Sequence, residues 1–206
     1  MKTSAPATER LFIEGPEGPL EALVETPATP VPGAVAVCCH PHPLFGGTMQ
    51  NKVVHALARA ALDLGVPAVR FNFRGVGGSG GSYDHGAGEA EDAIAVADWA
   101  ARRFEASRLW AAGFSFGSFV AYRLAHERRA ARLVAVAPPV QRFDFSLLPP
   151  PACLWLVAQG DQDELVNHDA VLEWTRELSN PPRVELFPGA DHFFHGRITE
   201  LRERVR

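Results

Sequence analysis

The chain has 206 residues, 47% of them hydrophobic and 21% charged. That is enough apolar material for one domain of ordinary size, and too much for a chain that is disordered throughout. A net charge of -4 offers no basic field to a phosphate backbone, which argues against nucleic acid as a partner, and no apolar run reaches the ~18 residues of a membrane span.

From the N-terminus, residues 1–8 read as a loose tail. Met1 to Arg10 lacks the apolar stretch of a secretory signal. Two short strands, about 9–14 and 19–26, flank the turn Gly15-Pro16-Glu17-Gly18 as a hairpin. Ala34-Val35-Ala36-Val37-Cys38-Cys39 is an apolar run without alternation, as expected of a strand covered on both faces. Val53, Val54, Leu57, Ala58, Ala61 and Leu62 then recur at helical spacing. The alternation continues with a strand at 67–73, a helix at 89–103, a strand at 108–112 and a helix at 116–126. Strands at 133–137 and 154–158, a helix near 168–178, a strand at 183–187 and a charged C-terminal helix complete it. This order predicts an α/β fold over 1–206, with a mostly parallel, twisted sheet of about eight strands and helices on both faces. Cys38, Cys39 and Cys153 lie in predicted strands and read as core thiols. Their odd number does not suit a disulfide framework, and together with the composition of Met1 to Arg10 it makes a cytoplasmic location the expectation.

In parallel sheets, chemistry gathers just beyond the carboxyl ends of the strands. After the strand at 108–112 comes Gly113-Phe114-Ser115-Phe116-Gly117, a G-x-S-x-G sequence. On a sharp strand-to-helix turn such a serine stands above the sheet, and small flanking residues let the two backbones pass closely. A serine hydroxyl needs a base, and the base needs an orienting acid. Asp161 and Asp163 follow the strand at 154–158. His192 and His195 follow the strand at 183–187. The order serine, acid, histidine is the one expected of this type of sheet.

At these residues the chain resembles the α/β-hydrolase superfamily. Cys39-His40-Pro41-His42-Pro43-Leu44-Phe45-Gly46-Gly47 and Arg70-Phe71-Asn72-Phe73-Arg74-Gly75-Val76-Gly77 look like a small, lid-less bacterial branch related to dienelactone-hydrolase-like esterases. The resemblance implies Ser115 as nucleophile, His192 as base and Asp163 as acid. Asp163 fits the superfamily spacing Gly160, Asp163, Val166. One oxyanion N–H is expected from Phe116. The other should come from the loop after Cys39, where Pro41 and Pro43 carry no N–H and His42 and Leu44 remain.

Two further patterns compete with this reading. His40-Pro41-His42 could ligate a metal, but reads more simply as a loop-shaping pair. Gly75-Val76-Gly77-Gly78-Ser79-Gly80 matches G-x-G-x-x-G, yet no helix follows at once and no ribose-binding acid ends the next strand. Neither a metal nor another cofactor is expected. Only about sixteen residues, Pro138 to Cys153, separate two strands where a cap would stand, so the cleft should be open. Phe45, Phe143, Phe145, Leu148 and Phe193 are expected to line an apolar pocket. The expected activity is hydrolysis of carboxylic esters with small or medium acyl chains. Thioester hydrolysis or acyl transfer would use the same residues, and a binding protein without catalysis is the alternative of another class. The expected partner is a small ester substrate, with the chain acting as a monomer or homodimer.

Overall fold

A computed structural model describes residues 5–206. Strands β1 (Ala7–Gly15) and β2 (Gly18–Thr26) form an antiparallel hairpin closed by Pro16-Glu17. The tail ends sooner than its composition suggests, because Ala7 and Thr8 already pair with Thr26 and Glu25. The rest of that expectation, residues 1–4, lies outside the described residues.

Six more strands follow: β3 (Ala34–Cys39), β4 (Ala68–Phe71), β5 (Arg108–Phe114), β6 (Arg132–Val136), β7 (Leu154–Gly160) and β8 (Arg183–Phe187). They complete one eight-stranded sheet in the order β1-β2-β4-β3-β5-β6-β7-β8. The hairpin joins β4 antiparallel, and every pairing from β4 to β8 is parallel. β3 shows why its sequence does not alternate. Val35, Val37 and Cys39 face helices α2 (Ala87–Arg103), α3 (Phe116–Glu127) and α4 (His168–Glu177). Ala34, Ala36 and Cys38 face α1 (Lys52–Asp63) and α5 (Ile198–Arg204). Both faces are covered, so both sets are apolar.

Boundaries shift where side chains override periodicity. β4 stops at Phe71 because Asn72 and Phe73 turn their N–H groups to Glu21 and His40. α2 begins two residues early because the Glu89 carboxylate reaches back to the N–H of Asp84 and Gly86, at 2.9 and 2.7 Å. Between β6 and β7 the only helical piece is a single 3-10 turn at Phe145–Leu147, so no cap covers the carboxyl ends of the strands there. Cys38 and Cys39 are buried in β3, Cys153 is half-buried, and all three are free thiols. Among the described residues no helix is long and apolar enough to cross a membrane.

Candidate active site

β5 ends at Phe114 and α3 begins at Phe116, so Ser115 alone makes the turn. It does so with φ 52° and ψ -124°, a strained conformation for a residue with a Cβ. Its N–H is anchored on the Val136 carbonyl at 2.8 Å. The flanking glycines are required by close approach. A Cβ on Gly113 would strike the Gly117 carbonyl, and one on Gly117 would strike the carbonyls of Cys39 and His40. The hydroxyl thus stands above the sheet at the N-terminus of α3, where the helix dipole favours negative charge.

His192 Nε2 lies 3.1 Å from Ser115 Oγ, and His192 Nδ1 lies 2.8 Å from Asp163 Oδ2. Both side chains are buried, at 3% and 0% exposure. Asp163 is held from every side. Gln159 Nε2 donates to its Oδ2 at 3.1 Å, while the N–H groups of Leu165 and Val166 donate to Oδ1 at 2.9 and 2.8 Å. Burial works against the carboxylate charge. The hydrogen bond and charge of His192, with those two N–H groups, outweigh it and hold the carboxyl below its ordinary range. An ionised Asp163 can only accept, so Nδ1 carries the proton and Nε2 is free to accept one from Ser115. The Glu164 carboxylate takes the His192 N–H at 3.2 Å and so holds the loop.

The other two candidates go elsewhere. Asp161 accepts the Gly189 N–H at 2.6 Å. His195 pairs with Asp191 at 2.6 Å on the surface. Sequence spacing alone did not signal Gln159 or Glu164: Gln159 is a polar residue inside a buried strand that turns back on Asp163 four residues later, and Glu164 meets the His192 N–H only where the loops after β7 and β8 come together.

Opposite Ser115 lies the loop after β3. The imidazole of His42 accepts the Leu44 N–H at Nδ1, at 3.3 Å, and meets the Tyr83 hydroxyl at Nε2, at 3.1 Å. Leu44 therefore spends its N–H inside the loop. The N–H groups of His42 and Phe116 donate to no group among the described residues.

Ser115 and His192 open into a cavity of about 370 Å³. Phe45, Phe143 and Phe193 line it. Phe145 and Leu148 do not. Phe145 is buried against Phe119, Tyr122 and Trp174, and Leu148 packs on the same core and offers its carbonyl to the Tyr122 hydroxyl. The chain folds their segment back onto α3 instead of over the cleft. The structure adds Arg142, Pro139 and Asn51 to the lining. Arg142 was legible only as a lone cation beside Phe143 in the loop after β6. A second hollow, of about 350 Å³, lies at the amino ends of the parallel strands, between Trp110, Leu154 and Arg204. It contains none of Ser115, His192 and Asp163.

The two competing motifs have structural occupations. His40 is buried, with Nε2 accepting the Phe73 N–H at 3.0 Å and Nδ1 at 2.6 Å from the Pro41 carbonyl, so neither nitrogen is free for a metal. In the Gly75–Gly80 loop the Glu21 carboxylate already accepts the Gly78 N–H at 3.0 Å. That acid would repel a phosphate, and α2 opens only at Ala87.

Residues 19–147 match the family described as X-Pro dipeptidyl-peptidase (S15 family). The match includes Ser115 and stops before Asp163 and His192. An uncharacterized protein of Rickettsia prowazekii is 36% identical over 95% of this chain and 86% of its own length. A Xanthomonas campestris protein described as a member of the α/β serine hydrolases without a lid is 44% identical, with a TM-score of 0.91 over 96% of this chain and 91% of its own. An α/β serine hydrolase homologue from Coxiella burnetii is also 44% identical, with a TM-score of 0.92 over 100% and 97%. The overall fold agrees with these solved structures, and the chain belongs to the S15 family within the α/β-hydrolase superfamily, in its lid-less serine-hydrolase branch.

Proposed function

We propose that this hydrolase cleaves carboxylic esters of small or medium acyl chain through an acyl-enzyme on Ser115. The observation that carries the reading is the unbroken hydrogen-bond chain from Ser115 Oγ through His192 to Asp163. Ser115 Oγ attacks the ester carbonyl carbon as its proton passes to His192 Nε2. Asp163 keeps the imidazole in the required tautomer and stabilises its cationic form. The carbonyl oxygen becomes an oxyanion held by the N–H groups of Phe116 and His42, which line the cleft and donate to no group among the described residues. The tetrahedral carbon then expels the alcohol, which takes the proton from His192 Nε2. Water, giving a proton to the same nitrogen, attacks the acyl carbon and releases the acid and Ser115.

The apolar walls, Phe45, Phe143, Leu165 and Phe193, suit an acyl chain. The absence of a cap over β6 and β7 leaves the mouth open to solvent, and Phe45 stands 80% exposed at its rim.

The test is intact-mass analysis after exposure to a fluorophosphonate, with Ser115→Ala alongside. One adduct on the native protein and none on the variant is the expected result. Ester turnover should fall by about 10⁴-fold or more in Ser115→Ala if the three residues act as a unit. A folded native protein that takes no adduct would refute the reading.

A further inference from the structure

The cleft carries one formal charge. Arg142 lies in the lining with Ser115 and His192, and no aspartate or glutamate joins it there. Its guanidinium forms no ion pair among the described residues. The neighbouring acid, Asp144, is already committed to the N–H and hydroxyl of Ser146, at 2.8 and 2.5 Å. The backbone beneath Arg142 is fixed, since the N–H groups of Arg142 and Phe143 both donate to the Pro139 carbonyl, at 2.9 and 3.1 Å. The charge also reaches the opposite wall: burial first, then Arg142 and His85, lower the affinity of the His42 imidazole for a proton.

Taking the hydrolase reading as given, we infer that Arg142 selects esters bearing a second, free carboxylate, such as half-esters of dicarboxylic acids. The ester carbonyl faces Ser115, and the carboxylate meets the guanidinium across the apolar cavity. A guanidinium presents paired donors in the plane that a carboxylate accepts, and Arg142, exposed at the open cleft, is reachable by that group without displacing another partner. A neutral ester of the same length leaves the charge with solvent alone.

Binding separates recognition from chemistry. The Ser115→Ala protein is titrated calorimetrically at low salt with monomethyl adipate and with dimethyl adipate. The half-ester should bind about tenfold more tightly, the scale of a charge-assisted hydrogen bond. Added salt should shrink the difference. Combining Ser115→Ala with Arg142→Gln should remove it, whereas Arg176→Gln, an equal loss of charge on an exposed turn of α4, should keep it. Equal binding of the two esters, no binding of either at millimolar concentration, or a preference that survives Arg142→Gln would overturn the inference. A native protein that takes no fluorophosphonate adduct strikes the hydrolase reading alone, because this comparison needs no turnover.

Discussion

One oxygen of the Asp163 carboxylate lies 2.8 Å from His192 Nδ1, while the other accepts the N–H groups of Val166 and Leu165 at 2.8 and 2.9 Å. The acid is therefore oriented by the turn that carries it before the histidine arrives. This division of labour between its two oxygens makes the site sensitive to an amide.

In Asp163→Asn the amide oxygen keeps the two backbone N–H groups, which turns the NH₂ toward His192. Nδ1 must then accept, the proton moves to Nε2, and Ser115 loses its base. Ester turnover should fall by about 10³–10⁴-fold, with little change in melting temperature. Asp161→Asn should keep most activity, because Asp161 holds only the Gly189 N–H. Steady-state kinetics on both variants checks this, and native rates in Asp163→Asn would reassign the acid. In the native protein the depressed folded pKa of Asp163 contributes stability above the ordinary aspartate range. That contribution is lost as pH falls through the folded value.

Gly117 tests the turn itself. A Cβ there meets two backbone carbonyls, of Cys39 and His40, neither of which can rotate away. Gly117→Ala should cost roughly 1–3 kcal/mol, the range for forced overpacking. At a chain of this size that is about 2–4 °C per kcal/mol in melting temperature. Activity in the surviving fold should drop as well, since β3 leads directly into the loop bearing the His42 N–H. A variant with native melting temperature would show that β3 and α3 can separate freely.

The sheet was legible in the sequence because strands covered on both faces read as uninterrupted apolar runs, as Val35, Val37 and Cys39 against Ala34, Ala36 and Cys38 illustrate. The residues of the site were legible because each candidate follows a strand. The choice between paired candidates came from the family resemblance, for the acid through the spacing Gly160, Asp163, Val166, and not from the residue types themselves. Asp163 and Asp161 are two residues apart, and only the meeting of the loops after β7 and β8 sends one to His192 and the other to Gly189. Phe145 and Leu148 were misplaced for a related reason. Apolar residues in a loop after a strand look the same whether the loop covers the cleft or folds back, and here they fold onto Tyr122 and Phe119. The commitment of the Leu44 N–H to its own loop, which separates it from His42, is likewise a matter of a ring's orientation.

His40 should make stability pH-dependent. Burial lowers its pKa from 6.5 to about 4. The neutral ring is required, because Nε2 accepts the Phe73 N–H. Between these values the unfolded chain binds a proton that the folded chain does not, so stability rises with pH across that window. It is complete above about 6.5 and declines as pH falls toward about 4, by on the order of 3 kcal/mol from this group. Urea denaturation at a series of pH values, with the His40 ring followed by NMR, measures both. A His40 ring that titrates near 6.5 in the folded protein would contradict the burial argument.

Arg74 and Asp92 form a buried ion pair, with side chains 2% and 0% exposed. The guanidinium donates to both carboxylate oxygens, and Asp92 Oδ2 also accepts the Arg74 N–H at 2.9 Å, fastening the chain after β4 to α2. Glu17 and Glu91 approach the same guanidinium at 3.4 and 3.6 Å but are largely exposed. Asp92→Ala leaves a buried cation with only these rim partners and should destabilise the fold by about 3–5 kcal/mol. Replacing both members, Arg74→Met with Asp92→Leu, should recover much of that loss, because the larger part of it is the stranded charge. Thermal unfolding of the single and double variants decides the point. A double variant as unstable as Asp92→Ala would mean that the Arg74 N–H bond to Asp92, which the apolar pair cannot restore, is what holds the segment after β4 in place.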